Sequence, residues 1–223
     1  MDSPEELAKI KRFARDPLTG KGTTVPGNMS YQEWSKRHVE GNAQAEANRK
    51  RERNRSADRK QYDRFREMLG ARVPKTFAEF QAVKYNNAEL WKLLKIDYSR
   101  RAYLKQHPEA ALPGAESVVL PEGKFTKYLF GGENAAGLAK GKGITSRLGY
   151  DISNWEKFRD SIAELACKYP ATAKGDNGFG SLYEQKIILY GLTDKPANLI
   201  VAWIVRNDGA TSLTSVYLKE LKK

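Results

Sequence analysis

Between Gly41 and Gly70 the chain runs for 28 residues without a proline or a second glycine, and the run is filled with Ala, Arg, Glu and Lys. Such a composition has strong helix propensity and offers the backbone no place to turn. Its apolar residues are sparse until Tyr62, Phe65, Met68 and Leu69, which recur at helical spacing. Residues 43–60 are therefore expected as an exposed helix at best, with nothing to bury when alone. A chain of 223 residues that spends so much length on an exposed arm has room for one further compact domain.

The elements around this run follow from caps and breakers. Residues 3–15 begin as a helix capped by Ser3, with Pro4 at its first position and Glu6 completing a capping box. Asp16 to Gly22 reads as a turn or linker, Pro26-Gly27-Asn28 as another turn, and Ser30 as the next helix cap. Beyond Gly70 and Pro74, Thr76 caps a short helix bearing Phe77, Phe80 and Val83. Asn86-Asn87 starts a further helix, striped by Leu90, Trp91, Leu94 and Tyr98.

From Leu112 glycine and β-branched residues increase and charge falls. Residues 123–130 read as a short helix, and 137–149, Gly-rich and basic, as a loop or irregular helix. Ser153 is expected to cap a helix through Trp155, Phe158, Ile162 and Leu165. Three strands follow, Leu182–Leu192, Leu199–Arg206 and Leu213–Leu218, separated by the turn signals Thr193-Asp194-Lys195-Pro196 and Asn207-Asp208-Gly209. The expected architecture is α+β: an extended basic helical arm over residues 1–110, and a small domain over 111–223 with helices on an antiparallel three- to four-stranded sheet.

Charge and chemistry narrow the function. The net charge is +12, with 24 Lys and Arg against 15 Asp and Glu in residues 1–110. Arg49, Lys50, Arg51, Arg53, Arg55, Arg59 and Lys60 concentrate it, which points to sequence-independent attraction of nucleic acid, RNA or phage DNA. An exposed helix face that only meets solvent has the same composition. The single cysteine, Cys167, excludes an internal disulfide and every cysteine-based zinc pattern. No metal site and no cofactor are expected, nor a signal peptide or membrane span, and the setting expected is the cytoplasm of a bacterial host or a virion.

Residues 111–223 contain no histidine, so a Ser/His/Asp triad is closed to them. Phosphodiester chemistry there would rest on Lys, Arg, Tyr, Ser or Glu. The best cationic run is Lys140-Gly141-Lys142-Gly143, its glycines suited to close approach of a phosphate, with Arg147 nearby. A solvated loop is the alternative reading of that run. On the last strand, alternation puts Leu213, Ser215 and Tyr217 on one face. Lys140, Lys142, Ser215 and Tyr217 are the candidate catalytic residues, and Arg147 and Arg206 candidate nucleic-acid contacts. Glu184 is a candidate general base or an ordinary exposed strand carboxylate, and Trp203 a core residue.

Two resemblances to known families add expectations. Val25-Pro26-Gly27-Asn28-Met29-Ser30-Tyr31-Gln32-Glu33-Trp34, Gln61-Tyr62-Asp63-Arg64-Phe65 and Val73-Pro74-Lys75-Thr76-Phe77, followed by Lys84-Tyr85-Asn86, resemble the C-terminal part of phage head-morphogenesis (minor head) proteins over residues 12–105. Leu112-Pro113-Gly114-Ala115-Glu116, Lys140, Lys142, Leu148-Gly149-Tyr150, Trp203-Ile204, Leu213 and Tyr217 resemble an uncharacterised C-terminal domain of polymorphic toxins. The second resemblance implies a metal-independent ribonuclease of the barnase, colicin or RelE kind, with a small acidic immunity protein as partner. The first implies phage head proteins as partners, or a non-enzymatic head component that binds nucleic acid.

Overall fold

A computed structural model describes residues 3–15, 20 and 22–221. The elements are α1 (Pro4–Lys9), β1 (Lys11–Arg15), β2 (Gly22–Pro26), α2 (Tyr31–Leu69), α3 (Phe77–Asn86), α4 (Ala88–Gln106), a π-helical turn (Lys124–Leu129), α5 (Ala135–Leu148), α6 (Trp155–Ala166) and four strands, β3 (Ala171–Asp176), β4 (Gly180–Leu189), β5 (Ala197–Arg206) and β6 (Thr211–Leu218). The architecture is α+β. Two compact units divide at Lys60 and Gln61. Helices α3 and α4, grouped with the arm in the sequence reading, thus share a unit with the sheet.

In the first unit Ser3 and Glu6 form the expected capping box. The helix then stops at Lys9 instead of running to residue 15, and Lys11–Arg15 pairs antiparallel with Gly22–Pro26. Val25, fully buried, anchors this hairpin. Most of the turn expected between Asp16 and Gly22 lies outside the described residues. Ser30 and Glu33 cap α2 reciprocally, and the Lys and Arg side chains from Arg49 to Lys60 are exposed, with Asp58 among them buried.

In the second unit one apolar cluster joins Tyr62, Phe65 and Leu69 of α2 to Phe80 of α3 and Leu94 of α4. Phe65 stacks on Tyr98 at 4.5 Å between ring centroids. Thr76 and Glu79 cap α3 as expected. The larger core lies between the sheet and α5, α6 and the π-helical turn, around Trp203, Phe158, Phe125, Ile144 and Ile187.

The sheet is an antiparallel meander in the order β3-β4-β5-β6. Strand β3 carries only polar and small residues and is exposed along most of its length. An edge strand with little to bury needs no apolar alternation, which is why its sequence gave no strand signal. Leu199, Val201 and Trp203 face the core with Gln185, Ile187 and Leu189. The opposite face carries Glu184, Lys186 and Ile188 on β4, Asn198, Ile200 and Ala202 on β5, and Ser215 and Tyr217 on β6.

Helix α4 is tied to one end of that second face. Arg100 donates to Asn198 Oδ1 at 2.7 Å. Arg101 Nε donates to Asp97 Oδ1 at 2.7 Å and its Nη2 to Tyr169 Oη at 3.0 Å. The Tyr169 hydroxyl lies 2.6 Å from Asp97 Oδ1 and 3.0 Å from the Ile188 carbonyl. Asp97 is fully buried, and its Oδ2, like the Tyr190 hydroxyl, has no hydrogen-bond partner among the described residues.

Burial, and then the negative charge of Asp97, holds both phenols protonated well above the ordinary phenol range. Their contribution is fully present below about pH 10, where an unfolded tyrosine is also neutral, and is lost as pH rises beyond it because only the unfolded phenol ionises. Urea midpoints measured from pH 8 to 11 should fall above about pH 10. Tyr190→Phe should flatten that fall and leave stability at neutral pH unchanged or slightly higher, since the lost hydroxyl has no partner. Tyr169→Phe should cost about 1–3 kcal/mol.

Candidate functional site

The glycine-rich segment after the π-helical turn is a regular helix. Asn134 accepts from the Gly137 backbone at 2.8 Å, and Gly149 closes α5 in the left-handed region with φ +79°. Glycine in a helix interior costs about 1 kcal/mol against alanine, so the sequence argues for a loop or an irregular helix. Packing overrides it. An added Cβ on Gly137 would lie 2.1 Å from the Tyr128 carbonyl oxygen, and one on Gly141 would lie 1.9 Å from that of Leu129. These glycines serve backbone contact between α5 and the turn Lys124–Leu129, where the sequence reading had Gly141 admitting a phosphate. Gly141→Ala should therefore destabilise the protein despite a gain of about 1 kcal/mol in propensity. Overpacking costs about 1–3 kcal/mol or more, and a lowered melting temperature would register the difference.

That contact positions the site. Lys140, half-buried on α5, donates to the Tyr128 hydroxyl at 3.2 Å and to Ser215 Oγ at 3.0 Å. Its ammonium also lies 5.4 Å from the ring centroids of both Tyr128 and Tyr217. An ammonium has three N–H donors, so one is left for a ligand oxygen. Lys124 adds a second cation 6.0 Å from the Tyr128 ring centroid. The result is a half-buried ammonium with two hydroxyls on it and two aromatic rings beside it, and a second cation near the Tyr128 ring, a chemistry suited to an anion such as a phosphodiester.

Of the sequence-derived candidates, Lys140, Ser215 and Tyr217 come together. Lys142 does not: residues two apart on a helix do not share a face, and Lys142 is exposed. Arg147 lies two turns further along α5, where it donates to the Pro196 carbonyl at 3.1–3.2 Å and pairs with Glu89. Arg206 is exposed at the far end of β5, four residues beyond Ala202, the partner of Ser215 and roughly 13 Å away along the strand. Arg49, Lys50, Arg51, Arg53, Arg55, Arg59 and Lys60 all lie exposed along α2.

Leu213 does not share a face with Ser215. The register shifts between Ala202 and Trp203, which pair with Ser215 and Leu213, so Thr214 is the extra residue of a bulge. The bulge turns Leu213 into the core beside Val216 while Ser215 faces away. Ser153 is not the cap of α6. Asn154 holds that position, and Ser153 donates to Asp151 at 2.6 Å. Trp203 is fully buried and donates to Gln185 Oε1 at 2.9 Å, as befits a core residue.

Lys124 and Tyr128 were absent from the sequence candidates. Their spacing of four on a segment read as helical was the available signal. Among the described residues no group of three or more His, Cys, Asp or Glu gathers as a metal site, and no helix is long and apolar enough to cross a membrane.

Comparison with known proteins adds three findings. A family model described as a domain of unknown function, DUF6883, matches residues 111–220. No curated protein matches the chain. Among solved structures, a contact-dependent growth inhibition toxin–immunity protein complex from Klebsiella pneumoniae 342 is similar at 19% identity, over 45% of this chain and 99% of that one, with a TM-score of 0.38.

Proposed function

We propose that residues 111–220 act as a toxin-type, metal-independent ribonuclease, with the cleaved phosphate held at Lys140. One observation carries this reading: the Lys140 ammonium is fixed by two hydroxyls and two aromatic rings and keeps an N–H free to donate. Preorganised charge of this kind stabilises the extra negative charge that develops on phosphorus during strand cleavage. A small acidic immunity protein, in this reading, covers the same cationic patch.

The full chain, purified and incubated with bulk cellular RNA, should cut it equally well with and without EDTA, and induced expression should arrest bacterial growth. Intact RNA and unaffected growth would refute the proposal.

The basic stretch of α2 supports a second role, holding nucleic acid without regard to sequence. An anisotropy titration with a single-stranded oligonucleotide should show strong salt dependence. Some four phosphate contacts would weaken binding roughly fiftyfold between about 50 and 200 mM salt. Salt-insensitive binding, or none, would remove this role.

A further inference from the structure

We infer that Glu184 is the general base of this site, taking the proton from the ribose 2′-hydroxyl across the open face of the sheet. The inference rests on the ribonuclease reading above and adds to it the group that a cation and hydroxyls alone do not supply.

The argument comes from strand register. Glu184 pairs with Ala202, and Ala202 pairs with Ser215, so the three form one row across β4, β5 and β6. All three belong to the face opposite the Trp203 core, because Gln185 and Trp203 next to them in sequence are buried in it. Glu184 and Ser215 therefore stand two strand spacings apart, about 10 Å between backbones, with only the alanine methyl between them.

That gap takes a ribose and its 3′-phosphate. The phosphate lies at the Lys140–Ser215 side and the 2′-hydroxyl toward Glu184. The next row of the face, Lys186, Ile200 and Tyr217, puts another cation beside the carboxylate and the Tyr217 hydroxyl beside the phosphate. Helix α4 is tied to the other end of the face, directly at Asn198 and through Tyr169 at the Ile188 carbonyl, while Glu184, Ala202 and Ser215 remain partly exposed. Glu184 is held at 3.8 Å by Lys174 of β3, with its side chain 19% exposed.

The step balances within the site. The Glu184 carboxylate accepts the 2′-hydroxyl proton, and the 2′-oxygen forms its bond to phosphorus. The bond from phosphorus to the 5′-oxygen breaks with its electron pair on oxygen, which takes a proton from the Tyr217 hydroxyl. The products are a 2′,3′-cyclic phosphate and a 5′-hydroxyl end. The protein's proton count is unchanged, one gained at Glu184 and one lost at Tyr217.

The test uses the full chain on bulk cellular RNA, with end-group analysis of the products. Glu184→Gln should slow cleavage about 10²–10⁴-fold and abolish the acid limb of the rate–pH profile, with RNA binding retained. Glu184→Asp should restore part of the rate. An active wild type whose Glu184→Gln variant cuts at an equal rate, or keeps the acid limb, would overturn this assignment and leave the ribonuclease reading standing. Products with 3′-hydroxyl ends would also overturn it. A wild type that cuts no RNA would defeat both.

Discussion

Lys140→Ala should lower RNA cleavage by about two to three orders of magnitude, the usual cost of losing one preorganised contact to a developing oxyanion. Lys142→Ala, two residues away, should leave it unchanged. The contrast follows from α5 being a helix: Lys140 reaches Tyr128 and Ser215, whereas Lys142 is turned roughly 200° away about the axis. The first substitution also removes two cation–π contacts, each about 0.5–2 kcal/mol, so melting curves must accompany the rates. Lys140→Arg separates the two effects. It keeps charge and ring contact but replaces a compact ammonium with a planar fork, so stability should recover further than activity. Toxicity on induction should follow the cleavage rates. Equal rates for Lys140→Ala and wild type would move the phosphate elsewhere.

Asp97→Ala should be the most destabilising single substitution in the second unit. It leaves the Arg101 guanidinium, whose side chain is only 8% exposed, without its carboxylate and removes an acceptor from the Tyr169 hydroxyl. Breaking a buried ion pair from one side costs about 3–5 kcal/mol. At roughly 2–4 °C per kcal/mol for a unit of this size, the melting temperature should fall by about 6–20 °C. The double change Asp97→Leu with Arg101→Leu should recover much of that loss, because no uncompensated charge stays buried. Since the network joins α4 to Tyr169 and the Ile188 carbonyl, its failure should expose Ile188 and Ile200 and weaken the sheet. Calorimetry of the single and double variants tests this, and a single variant melting within about 2 °C of wild type would show that the pair contributes little.

The network also carries the second unit across the compositional boundary in the chain. Composition shifts at Leu112, and the family match begins at residue 111. Yet Asp97, Arg100 and Arg101 make their partners 68 to 98 residues away in sequence. Such pairings leave no local trace in the chain.

What the sequence by itself determined is what depends on neighbours in the chain. The helix caps at Ser3, Ser30 and Thr76, the long helix through the glycine-free run, the order of β4, β5 and β6 and the burial of Trp203 all follow from local propensity, spacing or polarity. Side-chain type singles out Lys140, Lys142, Ser215 and Tyr217 alike and does not separate Lys142 from the others. Tertiary structure decided the rest. Gly137 and Gly141 argue for a loop or an irregular helix until the carbonyls of Tyr128 and Leu129 are placed against them, because close backbone contact offsets a propensity cost of about 1 kcal/mol per glycine. Thr214 reads as an ordinary strand residue until its pairing with β5 shifts. Strand β3 is invisible until β4 offers it hydrogen bonds. Glu184 and Ser215, 31 positions apart, come into one row across the sheet only through register, a property of paired strands that neither strand encodes alone.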